Sequence, residues 1–171
     1  MTKIITETER LIIREFTLED AEDVFMFNSN NEVNRFTGDD CLKSIEDAKK
    51  IIREIWLYEY QKYGYARWAT ELKETGKVIG FTGFKFETRS TVQATDIGYR
   101  FLPEYWGQGL ATESGLACIE YAKKHMSLEQ ILGDVVVDNT GSSNVLKKLG
   151  FSYHSQYQEL DFILNRYELI L

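Results

Sequence analysis

Proline is almost missing from this chain, with Pro103 the only one in 171 residues, and no low-complexity tract, linker or internal repeat accompanies it. A second domain therefore has no support. Cysteine is scarce as well: Cys41 and Cys118 lie far apart without CxxC spacing, which favours buried or unreactive thiols over a disulfide framework. With only His125 and His154 available, a zinc site is not expected. No apolar run approaches the ~18 residues of a membrane span, and the opening MTKIITETER lacks the apolar stretch of a signal peptide, so a cytoplasmic protein is the expectation. There is no basic excess either. A net charge of −7 argues against general nucleic-acid binding and fits a cationic substrate only weakly.

What is present is an ordinary globular composition, long enough for one domain, residues 1–171, with a substantial core. The chain is organised around DIGYRFLPEYWGQGLATE, Asp96 to Glu113. An extended segment, Ile97 to Leu102, stops at Pro103; Gly107 and Gly109 follow, and Leu110 to His125 reads as a helix. A strand, a glycine loop and a helix N-terminus can aim several backbone N–H groups at one point, with the helix dipole behind them, and so hold an anion such as pyrophosphate. A short Gly-x-Gly loop also serves simply to turn a strand into a helix, and both readings stand at this point.

The rest of the chain supplies a frame. Arg10 to Glu15 reads as a first strand. Thr17 with Asp20 is a capping pattern for a helix whose buried side is Ala21, Val24, Phe25 and Phe27, and NSNNEVNRFTGDD reads as a loop. Ser44 with Asp47 opens a second helix, with Ile45, Ala48, Ile51, Ile52, Ile55 and Trp56 at helical spacing, ending near Gly64. Tyr65 to Leu72 and Lys77 to Phe86 form a hairpin over KETG, and Thr91 to Leu102 is the strand that feeds the glycine loop. Gln130 to Val137 is a further strand, Ser142 to Leu149 a last helix stopped by Gly150, and Phe151 to Glu159 with Phe162 to Leu171 a closing antiparallel pair. The expected order is β-α-α-β-β-β-α-β-α-β-β, a mixed α/β (α+β) sheet with helices on its faces.

Three stretches, TERLIIREFTLEDA, IGYRFLPEYWGQGLATE and NTGSSNVLKKLGF, occur in an order that resembles the RimJ/RimL-like ribosomal-protein branch of the GCN5-related N-acetyltransferases (GNAT). The resemblance spans nearly the whole chain. It implies the GNAT fold, with a mostly antiparallel central sheet, and acetyl-CoA as co-substrate without a metal. It implies that pantetheine pairs with the strand end at Phe101 and Leu102, and that pyrophosphate sits on Trp106, Gly107, Gln108, Gly109, Leu110 and Ala111, with Thr112 adding a hydroxyl. Trp106 replaces the usual polar first residue of that loop; a core aromatic is the other reading of it. Asn139 and Ser142 cap a helix start on their chemistry alone. By resemblance Asn139 contacts the pantetheine arm and Ser142 lies near the thioester sulfur. Many relatives carry a tyrosine acid four residues after this serine, where this chain has Leu146, so Ser142 is the residue the resemblance offers as acid.

The chemistry asks little. A neutral amine attacks the acetyl carbonyl, and a thiol of pKa near ~8.5 leaves easily. Holding the two together supplies most of the acceleration. The backbone N–H of Phe101 or Leu102 is the expected oxyanion donor. Candidate bases are Glu87, Asp96 and Glu159, and for each a solvated surface position is the alternative. The acceptor is an amine: a protein N-terminus, a polyamine or an amine antibiotic. A module that binds coenzyme A without turnover is the competing class, favoured by the absent tyrosine. Phe36, Trp56, Tyr58, Tyr60, Tyr63 and Trp68 are candidates for an acceptor groove, although such aromatics more often fill a core. The oligomeric state is open, with dimers common among relatives.

Overall fold

The computed structural model describes residues 1–88 and 93–171. Thr91 and Val92, the start of one expected strand, lie outside the described residues.

The chain opens with two short antiparallel strands, β1 (Ile4–Glu7) and β2 (Leu11–Arg14). The first is an addition to the expected order; as a partly exposed edge strand of four residues it carries little periodic signal. A 3-10 turn, Leu18–Asp20, leads into α1 (Ala21–Asn28). The Asp20 carboxylate accepts from the Thr17 N–H at 2.8 Å and pairs with Arg14 at 2.8 Å, so the expected cap also ties the helix start to β2. The segment expected as loop contains one helical turn, α2 (Asn31–Asn34), because the Asn30 side chain accepts from the N–H groups of Glu32 (2.9 Å) and Val33 (3.2 Å). α3 (Ile45–Ile51) starts at Ser44, whose Oγ accepts from the Asp47 N–H at 3.2 Å. It widens into a π turn over Ile52–Trp56 and continues as α4 (Leu57–Tyr63), closed by Gly64 at φ 80°.

Then follow β3 (Arg67–Leu72), β4 (Lys77–Glu87), β5 (Ala94–Phe101), α5 (Leu110–His125), β6 (Gln130–Val136), α6 (Thr140–Lys148), β7 (Ser152–Glu159) and β8 (Phe162–Ile170). α6 begins two residues earlier than expected, since Asn139 rather than Ser142 is its cap. The strands form one sheet in the order β1-β2-β3-β4-β5-β6-β8-β7, antiparallel throughout except where β5 meets β6.

Strand alternation sorts the core onto two faces. Trp68, Phe84 and Ile97 point to α5 and α6, where they meet Cys118, Ile119 and Leu146. Ala69, Val78 and Phe81 belong to the opposite face with Phe16 from the segment after β2, Val24 and Phe27 from α1, and Ile52 and Trp56 from the π turn after α3. Cys118 is fully buried on α5, and burial pushes its thiol far up, as expected of an unreactive thiol. Cys41 is half-buried on the loop before α3. No helix among the described residues is long and apolar enough to cross a membrane.

Candidate active site

β5 and β6 touch at a single register pair, Asp96 with Leu132, and then diverge. Against β4, by contrast, β5 stays paired to its end, Phe101 opposite Gly80. The Leu102 N–H donates to the Ile79 carbonyl at 3.1 Å, and alternation of the antiparallel ladder then turns the backbone of Tyr99 and Phe101 the other way, toward the gap. This corrects one expectation. The Leu102 backbone is spent within the chain, its N–H on Ile79 and its carbonyl on the Tyr105 N–H at 3.0 Å, so Phe101 alone of that pair has an N–H facing the gap. The Phe101 carbonyl accepts from Trp106 Nε1 at 2.8 Å. Trp106 is 49% exposed, so it is a cap on the strand end and not a core aromatic.

Below the gap the chain turns through Gly107 (φ 72°) and Gly109 (φ 77°), left-handed conformations that cost other residues about 1–2 kcal/mol. The first helical bond of α5 runs from the Glu113 N–H to the Gly109 carbonyl at 2.9 Å. The N–H groups of Leu110, Ala111 and Thr112 therefore have no carbonyl of an earlier turn to meet, and these three residues line the cleft beside Gly107 and Gly109. The loop is anchored from the turn between β1 and β2. Arg10 Nε donates to Glu113 Oε2 at 2.7 Å and Arg10 Nη1 to the Gln108 carbonyl at 2.9 Å, while Thr8 Oγ1 donates to Glu113 Oε1 at 2.5 Å. Partial burial works against the Glu113 charge, but the hydrogen bonds from Thr8 and Arg10 prevail and hold its carboxyl below the usual range. An acidic side chain in the first turn is thereby neutralised beside the ring of N–H groups.

On the same face Asn139 caps α6 by accepting from the Ser142 N–H at 3.2 Å. Ser142 Oγ donates to Tyr99 Oη at 2.9 Å, and Tyr99 Oη donates to the Ser142 carbonyl at 2.8 Å. Burial pushes the Tyr99 phenol up to about 12, despite the Ser142 hydrogen bond. Leu146, one turn on, is buried against β6, where a Cβ on Gly133 would lie 2.7 Å from Leu146 Cδ2. The strand glycine and the leucine fit each other, and that position holds no polar group.

The opposite face of the gap is built differently. Gly83 and Gly98 stand opposite each other on β4 and β5, and the Arg67 guanidinium lies flat over the bare backbone of Gly98, where a Cβ would be 2.5 Å from Cζ. Arg67 Nη1 donates to the Gly83 carbonyl at 2.9 Å, and Nη2 to Asp96 Oδ1 and Oδ2 at 3.1 and 3.3 Å. Burial pushes the Asp96 carboxyl up against the pull of Arg67. Asp96 thus sits at the point where the strands part, held by an arginine. Glu87, at the end of β4, borders the cleft and accepts from the Thr88 N–H at 3.1 Å; Glu159 borders it from the end of β7. Glu59 on α4 also faces the cleft, and burial raises its carboxyl above the usual range. Gap, loop and arginine floor form one continuous cleft of about 1430 Å³.

Of the aromatics considered for a groove, Trp56 and Phe36 border the cleft. Trp68 is buried under α5, and Tyr60 donates to the Arg67 carbonyl at 2.6 Å as a half-buried brace. Tyr99, Arg67, Arg100, Glu59 and the Arg10–Glu113 anchor were not singled out from the sequence. Tyr99 was within reach, since a period of two from Phe101 places it on the same face. The glycines inside β4 and β5 were also a signal, because an interior strand glycine marks the close approach of something else. Nothing local in the sequence marks Glu59.

The geometry can be set beside known proteins. The acetyltransferase (GNAT) domain family matches residues 10–152. The uncharacterized N-acetyltransferase YoaA of Bacillus subtilis is 37% identical over 147 residues, covering 86% of this chain and 82% of that protein. The [ribosomal protein uS5]-alanine N-acetyltransferase of Escherichia coli is 27% identical over 88 residues, 50% of this chain and 45% of its own length. Among solved structures, RimL, a ribosomal L7/L12 alpha-N-protein acetyltransferase, superposes with a TM-score of 0.84 at 17% identity over 100% of this chain and 96% of that one. The microcin C7 self-immunity acetyltransferase MccE, solved in complex with acetyl-CoA and AMP, gives 0.81 at 17% identity over 96% and 94%. The split sheet, the glycine loop at the head of α5 and the family match over most of the chain agree: this protein belongs to the GNAT acetyltransferases and is an N-acetyltransferase.

Proposed function

We propose that this enzyme moves the acetyl group of acetyl-CoA to the α-amine of a protein N-terminus, with both substrates bound at once. The observation that carries the reading is the gap beyond Asp96 and Leu132, which opens to the glycine loop and Ser142 on one face and to a wide cleft on the other. The partial likeness to an alanine N-acetyltransferase of a ribosomal protein supports the choice of acceptor.

The residues fit the donor. The N–H groups of the first turn of α5, Leu110 to Thr112, together with the loop glycines and the helix dipole, suit a pyrophosphate. The Phe101 N–H and the Tyr99 backbone offer strand-like pairing to a pantetheine arm, and Asn139 stands at its far end. The donor supplies a thioester, whose carbonyl the amine attacks and whose sulfur departs. The Phe101 N–H is directed to stabilise charge on the carbonyl oxygen. Ser142 and Tyr99 serve the sulfur as a pair: on donor binding Ser142 Oγ turns its hydrogen from Tyr99 Oη to the sulfur, and Tyr99 Oη turns its own from the Ser142 carbonyl to Ser142 Oγ. With a thiol near ~8.5 and this phenol near 12, complete transfer is uphill by about 5 kcal/mol. The pair therefore acts by hydrogen bonding while charge develops, and solvent delivers the final proton. Glu59, which borders the cleft without the arginine partner that holds Asp96 and whose carboxyl burial raises, is a carboxylate suited to take the amine proton, directly or through water.

A module that binds coenzyme A without turnover would rest on Leu146. The Ser142–Tyr99 pair answers that objection by bringing a phenol to the site from β5. The test is a coenzyme A release assay over peptides with free N-termini, spermidine and aminoglycosides, using the wild type and Ser142→Ala. Turnover on peptides, reduced about tenfold by the substitution, is the expected result. Turnover confined to the polyamine or the aminoglycoside would replace the acceptor, and tight donor binding without release on any amine would overturn catalysis.

A further inference from the structure

The acceptor face carries a cation that the chemistry above does not use. Arg100 follows Gly98 by two residues on β5 and projects on the same side as Arg67. Both guanidinium groups lie over the single ring of Phe81, Arg67 at 5.8 Å and Arg100 at 5.2 Å from its centroid, and both side chains are only 14% exposed. Arg67 has a settled partner in Asp96. Among the described residues Arg100 does not: Nη1 donates to the neutral Asn28 Oδ1, the buried Nε meets no partner there, and the one carboxylate it pairs with is Asp39 at 2.7 Å. Asp39 is 61% exposed, on the loop between α2 and α3.

Taking a guanidinium out of water is costly, and strand β5 keeps this one beside a second cation. Its carboxylate partner is a surface side chain, which returns to water at little cost. Such a pair is exchangeable. We propose that the acceptor carries a carboxylate close to its amine, and that Arg100, with Arg67 behind it, binds that carboxylate in place of Asp39. The proposal deepens the reading of this cleft as the acceptor site and rests on it. It also reconciles the acceptor's charge with the wall around it: the amine end faces Glu59 and Asp96, and the anionic end faces Arg100. The carboxylate can belong to an acidic side chain near a peptide N-terminus or to the main chain of a free amino acid or dipeptide.

The experiment uses the full chain and matched acceptors: peptides beginning Ala-Asp and Ala-Asn, and the dipeptide Ala-Ala with a free or amidated C-terminus. Coenzyme A release gives kcat/KM for each. Calorimetry with the corresponding N-acetylated products, in the presence of coenzyme A, gives affinities that need no turnover. The expected result is at least a tenfold preference for carboxylate over amide within one matched pair, and the pair that shows it identifies the source of the carboxylate. Arg100→Gln is expected to shrink that ratio below twofold through KM, with Arg100→Lys between. Because a buried arginine can be needed for folding, Asp39→Asn on the exposed loop is the second variant, and it is expected to enlarge the ratio at least threefold. Turnover without preference keeps acetyl transfer and overturns the anion site. Preference in product binding without turnover keeps the anion site and overturns transfer; neither overturns both.

Discussion

Ser142 and Tyr99 hold each other by two hydrogen bonds, hydroxyl to phenol at 2.9 Å and phenol to carbonyl at 2.8 Å, across the junction of α6 and β5. Removing the phenol oxygen leaves the ring in place and Ser142 without its neighbour. Tyr99→Phe is therefore expected to lower kcat about tenfold, ~1.4 kcal/mol of barrier, with KM for acetyl-CoA within twofold. The double variant with Ser142→Ala should be no slower than the slower single one, since the two act as a unit. A phenol near 12 stays protonated throughout the working range, so the wild-type kcat should show no alkaline fall from this group below about pH 10. A limb near pH 8 that vanishes in Tyr99→Phe would contradict the assignment.

Leu146 invites restoration of the tyrosine that many relatives carry there. The site will not take it. Leu146 is 2% exposed and packed on Gly133, so Leu146→Tyr overfills a core position and should destabilise the fold by about 1–3 kcal/mol in urea titration, with no gain in turnover. A faster, equally stable variant would show that the leucine is replaceable.

The glycine loop can be loosened at a position on the cleft wall. A Cβ at Gly107 would meet no protein atom within 4 Å, so within the protein Gly107→Ala is opposed only by the cost of φ 72°. Strain of about 1–2 kcal/mol, relieved by a shift of the loop, should weaken acetyl-CoA binding five- to thirtyfold by calorimetry. Unchanged affinity would remove the loop from donor binding.

Glu113 links the loop to acid stability. Its carboxyl is held below the usual range in the fold, so the stabilisation it provides is present above the unfolded value of ~4.3 and is lost as pH falls through its folded value. Glu113→Gln should flatten the loss of stability below pH 4.3, and Arg10→Ala should do the same. An acid unfolding curve unchanged in both variants would contradict the pairing.

Much of this was legible in the residues. The strand, loop and helix from Ile97 to His125 follow from the extended run, Pro103 and the two glycines, and the caps at Asp20 and Ser44 form as their spacing implies. β1 and the turn at Asn31 were not, because four residues are too few to show a period. The cleft divides the same way. Residues contiguous with the loop could be named from one stretch of chain. Arg67, Glu59 and Tyr99 work through partners 29 to 43 positions away or from a helix on the far face, and separations of that kind are set by strand pairing, which no local pattern records. Leu102 shows the converse: it stands in the right stretch, but ladder alternation turns its N–H to Ile79.

The parting of β5 from β6 after one register pair makes the sheet a slot open from both sides. The glycine loop and the first turn of α6 attend one opening, and the two arginines on Phe81 attend the other. On the two-substrate binding proposed above, neither substrate has to leave for the other to enter. Initial-rate lines should intersect rather than run parallel, and a molecule that joins an acceptor to coenzyme A through a short bridge should fill both openings at once.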